Sequence, residues 1–173
     1  MLLSDGSKTT RALKIGATLL LLGVISGCQV RPLYSDGSGM QEVLASIEIS
    51  EADDRVEQKV RNSLIFLLGG GSGEPANPQY RMEMNVSVRD IGVLLDPKDD
   101  SPRAGRIVVS ADYNLAKADT GETVRSGRRS AVALVDFPVQ EFAKLRATRD
   151  AQDRAARELA ELIRADIAAA LAK

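Results

Sequence analysis

Apolar and polar residues alternate without a break from Tyr80 to Arg89. Tyr80, Met82, Met84, Val86 and Val88 stand between Arg81, Glu83, Asn85, Ser87 and Arg89. A repeat of two is the side-chain period of a β-strand, so this run predicts a strand with one buried face. It continues past Asp90 through residues 91–95, where Gly92 is a candidate bulge or bend. Ile107, Val109, Ala111, Tyr113 and Leu115 repeat the pattern against Arg106, Val108, Ser110, Asp112 and Asn114. Asp119-Thr120-Gly121-Glu122 reads as a tight hairpin loop leading into a last strand over 123–137. Which face of that strand turns inward stays open: Val132 and Leu134 compete with Ala131, Ala133 and Val135, and a bulge near Gly127 would switch the phase. A shorter strand is expected within 43–50, where Ile47 and Ile49 alternate with Ser46 and Glu48.

Two segments change to the helical period. Val56, Val60, Leu64 and Leu68 recur every four residues, and Arg55, Glu57, Gln58, Lys59, Arg61 and Asn62 fill the other face. Asp53 or Asp54 caps the start, and Gly69-Gly70-Gly71-Ser72-Gly73 ends the helix. That glycine run follows a helix and lacks the Gly-Lys-Ser/Thr ending, so it reads as a loop and not as a phosphate cradle. From about 140 to 172 the chain reads as one or two helices. Their apolar stripe is Phe142, Leu145, Ala155, Leu159, Leu162, Ile163, Ile167 and Leu171, with a heptad coiled coil as the alternative. The order β-α-β-β-β-α predicts an α+β fold. Both helices pack on one face of a four-stranded sheet whose last three strands are antiparallel and whose first pairing is parallel.

The N-terminus follows another rule. Lys8, Arg11 and Lys14 precede an apolar run from Ile15 to Ile25. This is a secretory signal peptide, too short for a membrane span of roughly 20 apolar residues. Ile25-Ser26-Gly27-Cys28 resembles the bacterial lipobox, in which the cysteine is acylated and becomes the first mature residue. The expected organisation is a signal peptide over 1–27, a lipidated tether over 28–42 and a single α+β domain over 43–173.

Composition narrows the chemistry. The chain has 173 residues and no histidine. Imidazole bases, Ser-His or Cys-His nucleophile pairs and histidine metal sites are therefore excluded. Cys28 is the one cysteine, so no intramolecular disulfide forms. The leader holds three of the 23 basic and one of the 24 acidic residues. The mature chain keeps 20 and 23, a net of −3 and not the balance of a nucleic-acid binder. Glu83, Asp90, Asp112 and Asp136 are conceivable acid–base partners but read as surface charge, and no metal-ligand spacing is visible. No catalytic residue, metal or cofactor is expected. Arg103, Arg106, Arg125, Arg128 and Arg129 are the candidate anion contacts, because planar guanidinium forks bind phosphate bidentately. Arg106 and the Arg125, Arg128 and Arg129 group are expected to converge at one end of the last hairpin. The other reading is a basic edge that blocks strand-to-strand aggregation.

Gly27-Cys28-Gln29-Val30-Arg31-Pro32-Leu33-Tyr34, Val60-Arg61-Asn62-Ser63-Leu64 and the element order together resemble the lipopolysaccharide-assembly lipoprotein family LptE, in its alphaproteobacterial form. The resemblance implies a lipid-anchored protein on the periplasmic face of the outer membrane. Its partners would be the LptD-type β-barrel, which it plugs and helps to assemble, and lipopolysaccharide, which it binds. An auxiliary lipoprotein of a lipid ABC transport system is the alternative. Gln29 is not the aspartate that typically retains such proteins in the inner membrane. Each buried CH₂ contributes about 0.8 kcal/mol, so two or three acyl chains on Cys28 anchor firmly where one would not. Mass spectrometry of the mature protein is expected to find its N-terminus at an acylated Cys28; a free thiol there would refute the anchor.

Overall fold

The computed structural model of the chain describes residues 39–95 and 102–172. The leader, Cys28, most of the tether and residues 96–101 lie outside them. Seven elements follow in order: α1 (Met40–Ala45), β1 (Ile47–Ile49), α2 (Arg55–Gly69), β2 (Tyr80–Leu95), β3 (Pro102–Lys117), β4 (Thr123–Asp136) and α3 (Glu141–Leu171). The strands form one sheet in the order β1-β2-β3-β4. β1 pairs parallel with β2, and the other two pairings are antiparallel. Among the described residues no helix is long and apolar enough to cross a membrane.

The period-two strands bury their odd or even residues as their sequence predicts. Met82 and Val86 of β2 and Ile107, Val109, Ala111, Tyr113 and Leu115 of β3 face the helices. On β4 the open choice resolves in favour of Ala131, Ala133 and Val135, leaving Val132 and Leu134 on the other side. The phase shift comes earlier than Gly127: Leu115 pairs with Arg125 and Ala116 with Thr123, so Val124 is the extra residue. Gly92 pairs with Gly105 in unbroken register, so no bulge forms there.

Three further expectations are corrected. First, the strand within 43–50 is confined to Ile47–Ile49. Met40 and Leu44 are four residues apart and both buried, which is a helical turn, so folded chain begins before residue 43. Second, α2 does not turn Glu57 and Arg61 to water. Glu57 is buried and accepts from Val86 N at 3.1 Å and Asp53 N at 3.0 Å. Arg61 donates to Ser50 O at 2.9 Å and pairs with Glu74 at 2.7 Å. Third, α3 forms as one helix, one of the two arrangements expected, but its stripe begins at Ala151 and not at Phe142 and Leu145. At 100° per residue Phe142 lies about opposite Ala151, and Leu145 about 120° from it. Both are exposed, as is Leu162 one step off the buried Ile163.

The polar residues of α2 have a shared cause. β1 ends at Ile49, after which the outer edge of β2 has no strand beside it. Ser50 Oγ takes Met84 N at 3.2 Å, and Glu57 takes Val86 N, so side chains continue the ladder that the short strand leaves unfinished. Asp54 caps the helix through Val56 N and Glu57 N, and Gly70 ends it in the left-handed conformation at φ 59°.

Leu64→Asp places an unpaired charge at a fully buried position and is expected to abolish cooperative unfolding. Arg61→Ala leaves the Ser50 carbonyl unsatisfied and is expected to cost about 1–3 kcal/mol. Urea denaturation checks both, and an Arg61 variant as stable as wild type would mean that this contact adds nothing.

Candidate functional site

Strand parity divides the arginines between two faces. On the helix side, Arg125 and Arg129 of β4 reach Asp166 of α3. Arg125 donates from both Nε and Nη2, the closest contact being 2.8 Å to Oδ1, and Arg129 pairs with the same oxygen at 2.8 Å. Tyr113 of β3 also donates its hydroxyl to Asp166. Tyr113 crosses β4 to do so over Gly127, where a Cβ would meet its hydroxyl oxygen at 2.9 Å. The glycine is there for that close approach. Burial pushes the Asp166 carboxyl up, but the hydrogen bonds from Tyr113 and Arg125 and the charges of Arg129 and Arg125 outweigh it, and its pKa falls below the ordinary carboxylate value. Burial, then the hydrogen bond to Asp166, push the Tyr113 hydroxyl up to about 12.

Among the described residues no helix lies on the other face of the sheet. Its pairs form rows across β2, β3 and β4. At one end the rows are polar: Glu83, Asn114 and Ser126, then Asn85, Asp112 and Arg128. Five of these six (all but Arg128) help to line a shallow depression of about 510 Å³. Arg128 meets Asp112 at 3.8 Å with both side chains largely in water, a pair worth little. Ser87, Ser110 and Ser130 make the middle row. Beyond them stand Arg89, Val108 and Val132, then Ile91, Arg106 and Leu134, then Val93, Ala104 and Asp136.

The expected convergence of the arginines therefore does not occur. Arg106 pairs in register with Leu134, and Arg125 with Leu115 nine residues along β3, roughly 30 Å away at 3.3 Å per residue. Arg103, near the start of β3, offers its carbonyl to Phe137 N. Sequence reasoning missed Asp166, which joins Arg125 and Arg129 only in the folded state. It also missed Arg89, although the alternation that marks β2 already sets Arg89 on the side away from the core. Of the four carboxylates considered, Glu83 and Asp112 share the polar depression, while Asp90 and Asp136 lie elsewhere. Among the described residues no three His, Cys, Asp or Glu side chains gather as metal ligands. A second groove, about 390 Å³ between α2 and α3, has Lys59, Phe66, Arg157 and Glu161 among its walls.

A sheet covered on one side and open on the other, graded from polar to apolar along its strands, is the layout of an α+β domain that presents a surface. The chain belongs to the LptE family, described as lipopolysaccharide-assembly, whose family model matches residues 44–167. No curated protein matches its sequence. Its structure is similar to that of a candidate lipoprotein from Caulobacter crescentus, with 28% identity and a TM-score of 0.64 over 78% of this chain and 96% of that one. The fold is also that of the rare lipoprotein B from Shewanella oneidensis (12% identity, TM-score 0.54, 71% of this chain and 92% of that one). A minor lipoprotein from Acinetobacter baumannii shares it as well (14%, TM-score 0.50, 71% and 88%).

The Asp166 cluster gives a pH prediction. A depressed carboxyl pKa contributes stability above its unfolded value of about 3.9, and the contribution is lost as pH falls through the folded value. Tyr113, raised from 10.0, contributes below pH 10 and loses that contribution as pH rises through about 12. Asp166→Asn is expected to lose about 1–2 kcal/mol near neutrality, the low end of charge-assisted values because the guanidinium groups remain partly in water. Its melting temperature is expected to fall less steeply with acid than that of wild type, as thermal melts from pH 7 to 3 would show.

Proposed function

We propose that this protein is an outer-membrane lipoprotein of the lipopolysaccharide translocon, which occupies and helps to assemble an LptD-type β-barrel and binds lipopolysaccharide there. The family match carries the reading, because it spans the folded domain from Leu44 through β1, α2, β2, β3 and β4 to Ile167 of α3. Dimensions support the plug. Strands of 16 residues reach roughly 50 Å, and the 31-residue α3 about 46 Å. Both exceed the roughly 30 Å hydrocarbon thickness that such a barrel spans. Cys28 is the expected lipid anchor, holding the domain at the periplasmic face. A wedge of this kind needs neither metal nor cofactor. The lipoprotein names of the structural relatives favour the same compartment.

The partner separates this reading from an auxiliary subunit of a lipid ABC transporter. Affinity purification of the full-length, tagged protein from detergent-solubilised membranes is expected to recover an outer-membrane β-barrel in near-equal amount. Recovery of an inner-membrane permease complex instead would overturn the proposal.

A further inference from the structure

We propose that the apolar end of the open sheet face is the lipopolysaccharide site, with Arg89 and Arg106 taking its phosphates and Val93, Val132 and Leu134 its acyl chains. The inference rests on the translocon reading above and names the surface within it. Other arginines on this sheet have closer partners inside the molecule: Arg81 pairs with Glu48, and Arg125 and Arg129 with Asp166, while Arg128 has only the weak, exposed contact with Asp112. Arg89 and Arg106 are exposed, and neither has an ion-pair or hydrogen-bond partner among the described residues. They are diagonal neighbours, because Arg89 pairs with Val108 and Arg106 with Ile91. Diagonal positions on one face lie about 7–8 Å apart or less, within reach of one phosphorylated headgroup.

The residues around them are apolar although no helix covers them. Leu134 is 75% exposed, Val132 47% and Val93 43%. A face left to water favours polar residues, as it does at the other end of the same strands. Two cations without a partner among the described residues, set among exposed aliphatic side chains, complement an amphiphile whose anionic phosphates adjoin its hydrocarbon. Lipopolysaccharide has that construction at its lipid end, and the hydroxyl, amide and carboxylate rows further along the face would then lie toward its sugars.

The test uses the full-length lipidated protein in detergent, with purified lipopolysaccharide and the same material after removal of its phosphates. Arg89→Ser/Arg106→Ser is expected to weaken binding of intact lipopolysaccharide by about tenfold or more and to flatten its salt dependence. The dephosphorylated ligand is expected to bind wild type and the double variant alike, since the lost partner is then missing from both. Leu134→Ser/Val132→Ser is expected to weaken both ligands equally. Arg128→Ser, at the polar end, is expected to bind within about twofold of wild type. Circular dichroism and melting temperature establish that each variant is folded, which the exposure of these side chains favours. If wild type bound no lipopolysaccharide, the translocon reading itself would fail and this site with it. If wild type bound but the arginine variant bound equally well with the same salt slope, the site would be wrong and that reading would stand. Unchanged binding with loss of the barrel on purification would assign the face to the barrel and overturn the proposal.

Discussion

A period-two sheet has two faces, and among the described residues the helices lie on only one of them. α2 and α3 lie on the side of Met82, Val109 and Ala133, and the buried core is the space between. The close approach of α3 depends on alanine: Ala151, Ala155, Ala156, Ala160 and Ala168 are all fully buried. Small side chains bring a helix near a sheet but supply little contact of their own to set its register. Asp166 adds a directional one. Three donors from two strands meet one carboxylate, so sliding α3 along the sheet would break the hydrogen bond from Tyr113 and both arginine pairs together.

Much of this was legible in the chain. β2 and β3 were legible because each pairs a strict alternation with ten or more residues, and α2 because four apolar residues recur at one spacing. β1 was legible from Ile47 and Ile49, but its start was not, because a three-residue strand carries too little pattern to separate it from the helical turn before it. The facing of β4 was ambiguous for a different reason. Its two candidate faces are about equally apolar, and only the outward one is free of a helix. Glu57 and Arg61 misled because charged residues on a helix normally mark its wet side. Here they complete the hydrogen bonding of a sheet edge, a need that arises from the shortness of β1 and leaves no trace in the local sequence.

The candidate site was half legible for the same reason. Residue type alone grouped Arg106, Arg125, Arg128 and Arg129, and strand parity separates them. A shift of one position moves an arginine from the helix side to the open side. Arg128 and Arg129 are neighbours in sequence yet meet Asp112 on one face and Asp166 on the other. Arg125, Arg129 and Ala131 share a side because the register from Arg125 onward is unbroken; the bulge at Val124 shifts only Thr123 before them.

The uncovered face follows from the same economy. Sheets in soluble domains tolerate one wet face when that face is polar, and the half bearing Asn85, Asp112 and Asn114 meets the condition. The half bearing Val132 and Leu134 does not, although the two halves belong to the same strands and differ by only a few residues along them. Nothing in the folding of the domain calls for aliphatic side chains there, because the core is closed on the opposite side without them. Exposed apolar residues that folding does not use mark a surface meant to be covered by something else. Arg89 and Arg106 among them are why the occupant proposed for this end is anionic as well as apolar.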